Sequence, residues 1–109
     1  MKPTTSEPIS LDALRAAVAA VCAGWPVARV QLFGSQVEGR ARGESDVDLL
    51  VEFETEARVG LFEMGDLKEA LEERIGRRVD LVSRRAIERS RNPYRRRAIL
   101  AAPITVYAR

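Results

Sequence analysis

The spacing of apolar and polar positions along this 109-residue chain changes several times, and each change marks an element. In LDALRAAVAAVCAG, residues 11–24, Leu11, Leu14, Val18, Val21 and Cys22 recur three and four apart, which predicts one apolar helix face. Ser10 stands where an N-cap belongs, Asp12 falls in the first turn, Ile9 is placed to staple against Leu14, and Gly24 is the expected C-terminal stop. After the Trp25-Pro26 break the pattern becomes that of strands. VARVQLF (27–33) and VDLLVEF (47–53) are rich in β-branched and apolar residues, and the glycine-punctuated polar piece between them reads as loop or a short helical turn. Residues 60–75 put Leu61, Met64, Leu67, Leu71 and Ile75 on a second helical stripe, with Gly76 to end it. RRVDLVS (77–83) predicts a third strand. Asn92-Pro93 supplies an N-cap and a first helical proline for a short helix over YRRRAILAA, and ITVYAR (104–109) predicts an edge strand or a packed tail.

These elements predict one small α/β domain over residues 10–109, with residues 1–9 as a disordered lead-in that lacks the apolar core of a secretory signal. No apolar run approaches the roughly 18 residues of a membrane span, so a soluble, cytoplasmic protein with no membrane partner is expected. Cys22 is the single cysteine and lies on an apolar helix face, which reads as a buried thiol in a reducing compartment. Trp25 reads as a partly buried anchor, and Tyr94 and Tyr107 as packed rings with their hydroxyls at the surface.

Charge and chemistry narrow the choice. The chain has no histidine, which removes Ser-His and Cys-His nucleophile pairs, histidine metal sites and a histidine general base. The net charge of +2 hides an asymmetry: residues 1–73 carry 14 acids and 7 bases, residues 74–109 carry 2 acids and 11 bases. The arginines at 84, 85, 89, 91, 95, 96 and 97 read as a solvated face, a nucleic-acid contact or a surface for an acidic protein. Glu52, Glu54 and Glu56 read as a solvated run, with Glu52 on the same strand face as the aspartates before it.

Those aspartates are the unusual feature. In a strand, side chains alternate faces, so Asp46 and Asp48 project to one side with Cα atoms about 7 Å apart, while Val47, Leu49, Val51 and Phe53 line the other. Two adjacent carboxylates repel unless a cation lies between them, and Mg²⁺ favours one or two carboxylates completed by water and phosphate oxygens. Gly34-Ser35 follows the end of the preceding strand, where a glycine permits close phosphate approach and a serine offers an N–H and a hydroxyl. Asp80 has the opposite parity to Val79 and Leu81 and is placed to join the same cluster. Three acids and a phosphate cradle suit two-metal phosphoryl or nucleotidyl transfer.

Gly34-Ser35, ten residues, Asp46-Val47-Asp48 and the later Val79-Asp80-Leu81-Val82 together resemble the DNA polymerase beta-like nucleotidyltransferase superfamily. More closely, the chain is similar to the minimal nucleotidyltransferase (MNT) domains, partners of HEPN-domain toxins. The resemblance spans residues 10 to 108 and implies a polymerase beta-like palm: a small mixed β-sheet with helices mainly on one face. It implies Asp46, Asp48 and Asp80 as metal ligands for two Mg²⁺ ions, with Asp80 activating the attacking hydroxyl, and Gly34 and Ser35 as the nucleotide-binding residues. It implies transfer of AMP from ATP to a hydroxyl, a tyrosine of a HEPN toxin, by an antitoxin assembled with that toxin. One position departs from the pattern. Many relatives carry a basic residue three positions after the serine; here it is Glu38, with Arg40 and Arg42 close by. Two readings from other classes stay open: an antitoxin that neutralises its partner by contact alone, and a nucleic-acid binder acting through the arginines.

Overall fold

The computed structural model describes residues 9–33, 47–89, 91 and 103–109. Within them the chain runs α1 (Leu11–Cys22), β1 (Val27–Phe33), β2 (Val47–Phe53), α2 (Leu61–Ile75), β3 (Val79–Ser83), α3 (Arg84–Glu88) and β4 (Ile104–Ala108). The lead-in at 1–8, the stretch 34–46 and the expected helix after Asn92-Pro93 lie outside the described residues.

The four strands form one mixed sheet in the order β3-β2-β1-β4. β1 is antiparallel to β2 and to β4, whereas β2 and β3 run parallel, joined by the crossover helix α2. The expected mixed sheet is therefore present, and ITVYAR is an edge strand. One face of the sheet carries Val30, Leu32, Val47, Leu49, Val51 and Val79, all buried, and packs on Leu14, Val18 and Cys22 of α1 and Leu67 and Leu71 of α2. A bulge at Ala28 keeps this face continuous: Val27 pairs with Phe53 and Arg29 with Glu52, so one extra residue turns Val27 into the core that strict alternation would deny it. Trp25, Ile9 and Tyr107 pack at the margin of this core, as their sequence contexts imply.

The helix ends follow local chemistry, with one correction. Ser10 accepts a hydrogen bond from the Ala13 N–H at 3.1 Å, the expected N-cap. Gly76 closes α2 in the left-handed conformation, φ 78°, where a Cβ would be strained. Gly24 does not close α1 in that way: the helix ends at Cys22 with Ala23 still right-handed. Its last carbonyls are met by the turn that follows, Gly24 N–H donating to Val21 O at 3.4 Å and Trp25 N–H to Cys22 O at 3.0 Å, and Arg109 adds bonds to Cys22 O at 3.3 Å and Ala23 O at 3.0 Å while it pairs with Glu54 at 2.6 Å. A second correction concerns the α2 stripe. Leu67 and Leu71 are buried and Met64 and Ile75 half-buried, but Leu61, with Phe62 beside it, is fully outside the core because burial begins only at Met64. Among the described residues no helix is long and apolar enough to cross a membrane.

Cys22 is buried as expected. Burial pushes its thiol up to about 11 from the ordinary 9.0, against a smaller opposing pull from the Arg109 charge. The unfolded thiol ionises first as pH rises, so this group's contribution to stability is intact below pH 9 and is lost as pH approaches 11. Thermal melts followed by circular dichroism across that interval should show a falling midpoint, and Cys22→Ala should lack this component of the slope. A thiol reagent added to the native protein at neutral pH should react only as the chain unfolds.

Candidate active site

The opposite face of the sheet carries the polar chemistry. Asp48 pairs with Phe33 across the antiparallel β1–β2 ladder and with Asp80 across the parallel β2–β3 ladder. Paired residues on neighbouring strands project to the same face, so Phe33, Asp48 and Asp80 form one row, with neighbouring Cα atoms about 4.8 Å apart. Asp48 is half-buried and Asp80 exposed. Asp80 lies on the sheet face that its parity implies, and the β2–β3 register sets it beside Asp48.

Beside the row, on the same face and including Phe33, lies a small apolar cluster. Phe33, Leu50 and Ile87 are buried together, with Val82 against them. Ile87 comes from α3, a single turn that the sequence reading missed; Ser83 starts it by accepting from the Ala86 N–H at 3.0 Å. The signal was present, a serine N-cap four residues ahead of an isoleucine, but five residues are too few to show helical periodicity. A link from behind the sheet fixes the height of β3. Glu72 of α2 accepts from the Val79 N–H at 2.9 Å, one residue before Asp80.

Farther along the same face is a side-chain chain that the sequence reading also missed. Gln31 donates to Thr105 at 3.4 Å and accepts from Arg84 at 3.3 Å; Arg84 pairs with Glu88 at 3.0 Å and with Glu52 at 3.4 Å; Arg29 pairs with Glu52 at 2.9 Å. Glu52 is therefore half-buried and ion-paired rather than part of a solvated run, whereas Glu54 and Glu56 are exposed as expected, Glu54 pairing with Arg109 at the surface. Such half-exposed pairs contribute on the order of 1 kcal/mol or less each, and their geometric effect is to hold α3 against β1 and β2.

Asp46, Gly34, Ser35 and Glu38 lie outside the described residues. Among the described residues no group of three acidic or cysteine side chains is placed to hold a metal ion, so the visible donor set is the pair Asp48 and Asp80. Two carboxylates on adjacent strands, side by side and open to solvent on one side, are a hard-oxygen pair of the kind a divalent cation takes together with phosphate oxygens. The fit to Mg²⁺ is in donor chemistry and adjacency.

Known proteins resemble this chain in sequence and fold. The model of the family described as "Nucleotidyltransferase domain" matches residues 14–103. A Methanocaldococcus jannaschii protein provisionally named as a protein adenylyltransferase is 36% identical over 75 residues, 69% of this chain and 72% of its own length. The protein adenylyltransferase MntA of Thermococcus cleftensis is 42% identical over 62 residues, 57% of this chain and 61% of its own length, so less than two thirds of that relative is spanned. Among solved structures, one provisionally assigned as a minimal nucleotidyltransferase is 40% identical, with TM-score 0.66 over 88% of this chain and 95% of the other. The MNT antitoxin complex with a tri-AMPylated Shewanella oneidensis HEPN toxin shares the fold, with TM-score 0.64 and 16% identity over 92% of this chain and 74% of the other. With a family match over residues 14–103 and a 40% identical minimal relative of the same fold, the chain belongs to the nucleotidyltransferase domain family, as a minimal member of it.

Proposed function

We propose that this nucleotidyltransferase transfers AMP from ATP to a tyrosine hydroxyl of a HEPN-type toxin and thereby acts as its antitoxin. The observation that carries the reading is the in-register pair Asp48 and Asp80 at the rim where β1 ends and β2 and β3 begin. The adenylyltransferase names of two relatives and the shared fold with an MNT–HEPN complex support it.

In this reading Asp46, Asp48 and Asp80 hold Mg²⁺, and Gly34 and Ser35 hold the triphosphate. The cation would supply Lewis-acid polarisation of the α-phosphate and neutralise charge on the leaving pyrophosphate. Asp80, exposed and one strand outward from Asp48, takes the proton of the acceptor hydroxyl. The hydroxyl oxygen then bonds to the α-phosphorus as the bond to the bridging oxygen of the β-phosphate breaks. The buried Phe33–Leu50–Ile87 cluster excludes water from the side of the carboxylates it adjoins, and Glu72 sets the position of the strand that carries Asp80. The acceptor comes on a separate polypeptide.

The test is to incubate the protein with ATP labelled on the α-phosphate, Mg²⁺ and the HEPN-type protein encoded beside it. Label should appear on a tyrosine of that protein and be lost when Mg²⁺ is chelated. Neutralisation of the toxin with no label transferred would contradict the reading and leave contact inhibition in its place.

A further inference from the structure

At the end of the sheet farthest from Asp48 there is a cavity of about 760 Å³, reached where β2 and β3 terminate. Its apolar wall is Phe53, Val59 and Met64, and it opens between the start of α2 and the short α3. Along β2 the lining begins at Val51, three residues or about 10 Å from Asp48, and neither Asp48 nor Asp80 lines it, so this cavity lies beyond the carboxylate row. It is joined to it by α3, which packs on the carboxylate face through Ile87.

Two observations say what kind of occupant fits. The first is apolar. Leu61 and Phe62, in the first turn of α2 beside the cavity, are 91% and 89% exposed, although the rest of that helix's apolar residues face the core. The cavity has a mixed polar and apolar lining that includes their chain neighbours Gly60 and Glu63, and two adjacent large apolar side chains exposed next to it form a patch of the kind that protein contacts cover. The second is charge. The acids around the cavity are each engaged: Glu52 with Arg29 and Arg84, Glu88 with Arg84, Glu54 with Arg109, and Glu63 with the Gly60 N–H. Arg58 and Arg85, which also line it, make no ion pair among the described residues. The local balance of uncommitted charge is positive.

We propose that this face docks the protein partner, through a segment that sets an apolar side chain into the cavity beside Leu61 and Phe62 and an acidic side chain against Arg58 and Arg85. The proposal rests on the transfer reading above for the identity of the partner as the AMP acceptor, and it gives the small domain a recognition surface apart from its chemistry. A partner held here spans the α3 side of the sheet and reaches the carboxylate row with its acceptor.

The experiment measures affinity for the HEPN-type protein by titration calorimetry, in parallel with transfer of labelled AMP. The full chain is compared with Leu61→Ser/Phe62→Ser, Arg58→Glu/Arg85→Glu and Asp48→Ala. All four substituted surface residues lie outside the core, and a melt of each variant checks that the fold is retained. Each of the first two variants should bind at least about tenfold more weakly than wild type, with Asp48→Ala binding as wild type does. The charge-reversed pair should regain affinity when an acid on the partner's docking segment is changed to lysine. Binding of both surface variants within about twofold of wild type, or no complex with the wild-type chain, would overturn the proposal. So would sedimentation of the chain alone as a dimer that Leu61→Ser/Phe62→Ser dissolves, since the face would then serve a second copy. Loss of docking in the surface variants with no AMP transferred by wild type would leave this surface standing and remove the transfer reading instead.

Discussion

Replacing Asp48 with alanine is expected to lower the rate of AMP transfer on the order of 10³-fold, measured as single-turnover labelling of the partner at saturating ATP and Mg²⁺. The expectation follows from position. Asp48 sits in the middle of the row, between Phe33 on one strand and Asp80 on the next, so its loss removes one of the two visible carboxylates at the rim. Asp48 is half-buried at the head of its strand rather than in the core, and the fold should survive, with the midpoint of urea unfolding changed little. A variant that keeps its stability and loses its rate separates chemistry from folding. A rate within a few-fold of wild type would remove Asp48 from the reaction.

The largest effect on stability is expected one residue away. Leu49 is 0% exposed and faces α1 and α2 from the central strand β2, flanked in register by Leu32 of β1 and Leu81 of β3. Truncation to alanine removes buried methyl groups and leaves a cavity between sheet and helices, at a cost of about 2–5 kcal/mol. For a domain of this size that is a large part of the total stability. Urea unfolding should show a much lower midpoint at unchanged slope. Leu61→Ala, the same chemical change at a position 91% exposed, should stay within about 0.5 kcal/mol of wild type. Equal effects at the two positions would contradict the burial assigned to β2 and to the first turn of α2.

These adjacent residues also show where sequence reading succeeds. Alternation along VDLLVEF assigns Leu49 to one face and Asp48 to the other, and the observed strand has the expected limits, Val47–Phe53. The parity of Asp80 within VDLVS was equally legible, because each residue's face follows from local geometry alone. The register was not. That Asp48 falls beside Asp80 rather than Val79 or Leu81 depends on how α2 returns the chain in parallel, and on Glu72 catching the Val79 N–H, both tertiary facts.

The same limit explains Leu61. Its spacing is right for the apolar stripe, but periodicity says which way a side chain points and not whether the sheet extends far enough to cover it. Glu52 was placed on the correct face yet read as solvated, since its partners Arg29 and Arg84 are 23 and 32 positions away by number. Gly24 illustrates the converse: it lies just past the helix end as expected, but the chain leaves α1 through a right-handed turn at Ala23, with Gly24 N–H on Val21 O and Arg109 adding a bond to Cys22 O. Asp46, Gly34 and Ser35 lie outside the described residues, and their assignment remains part of the proposal above.

The most direct test of the central claim, that Asp48 and Asp80 act together across the β2–β3 register, is a double-mutant cycle in single-turnover transfer. It compares wild type, Asp48→Ala, Asp80→Asn and the double variant. Loss of the proton acceptor alone should cost about 10²–10⁴-fold, and the double variant should be no slower than the slower single one, because both residues serve one step. Losses that multiply, or an Asp80→Asn enzyme as fast as wild type, would contradict the claim.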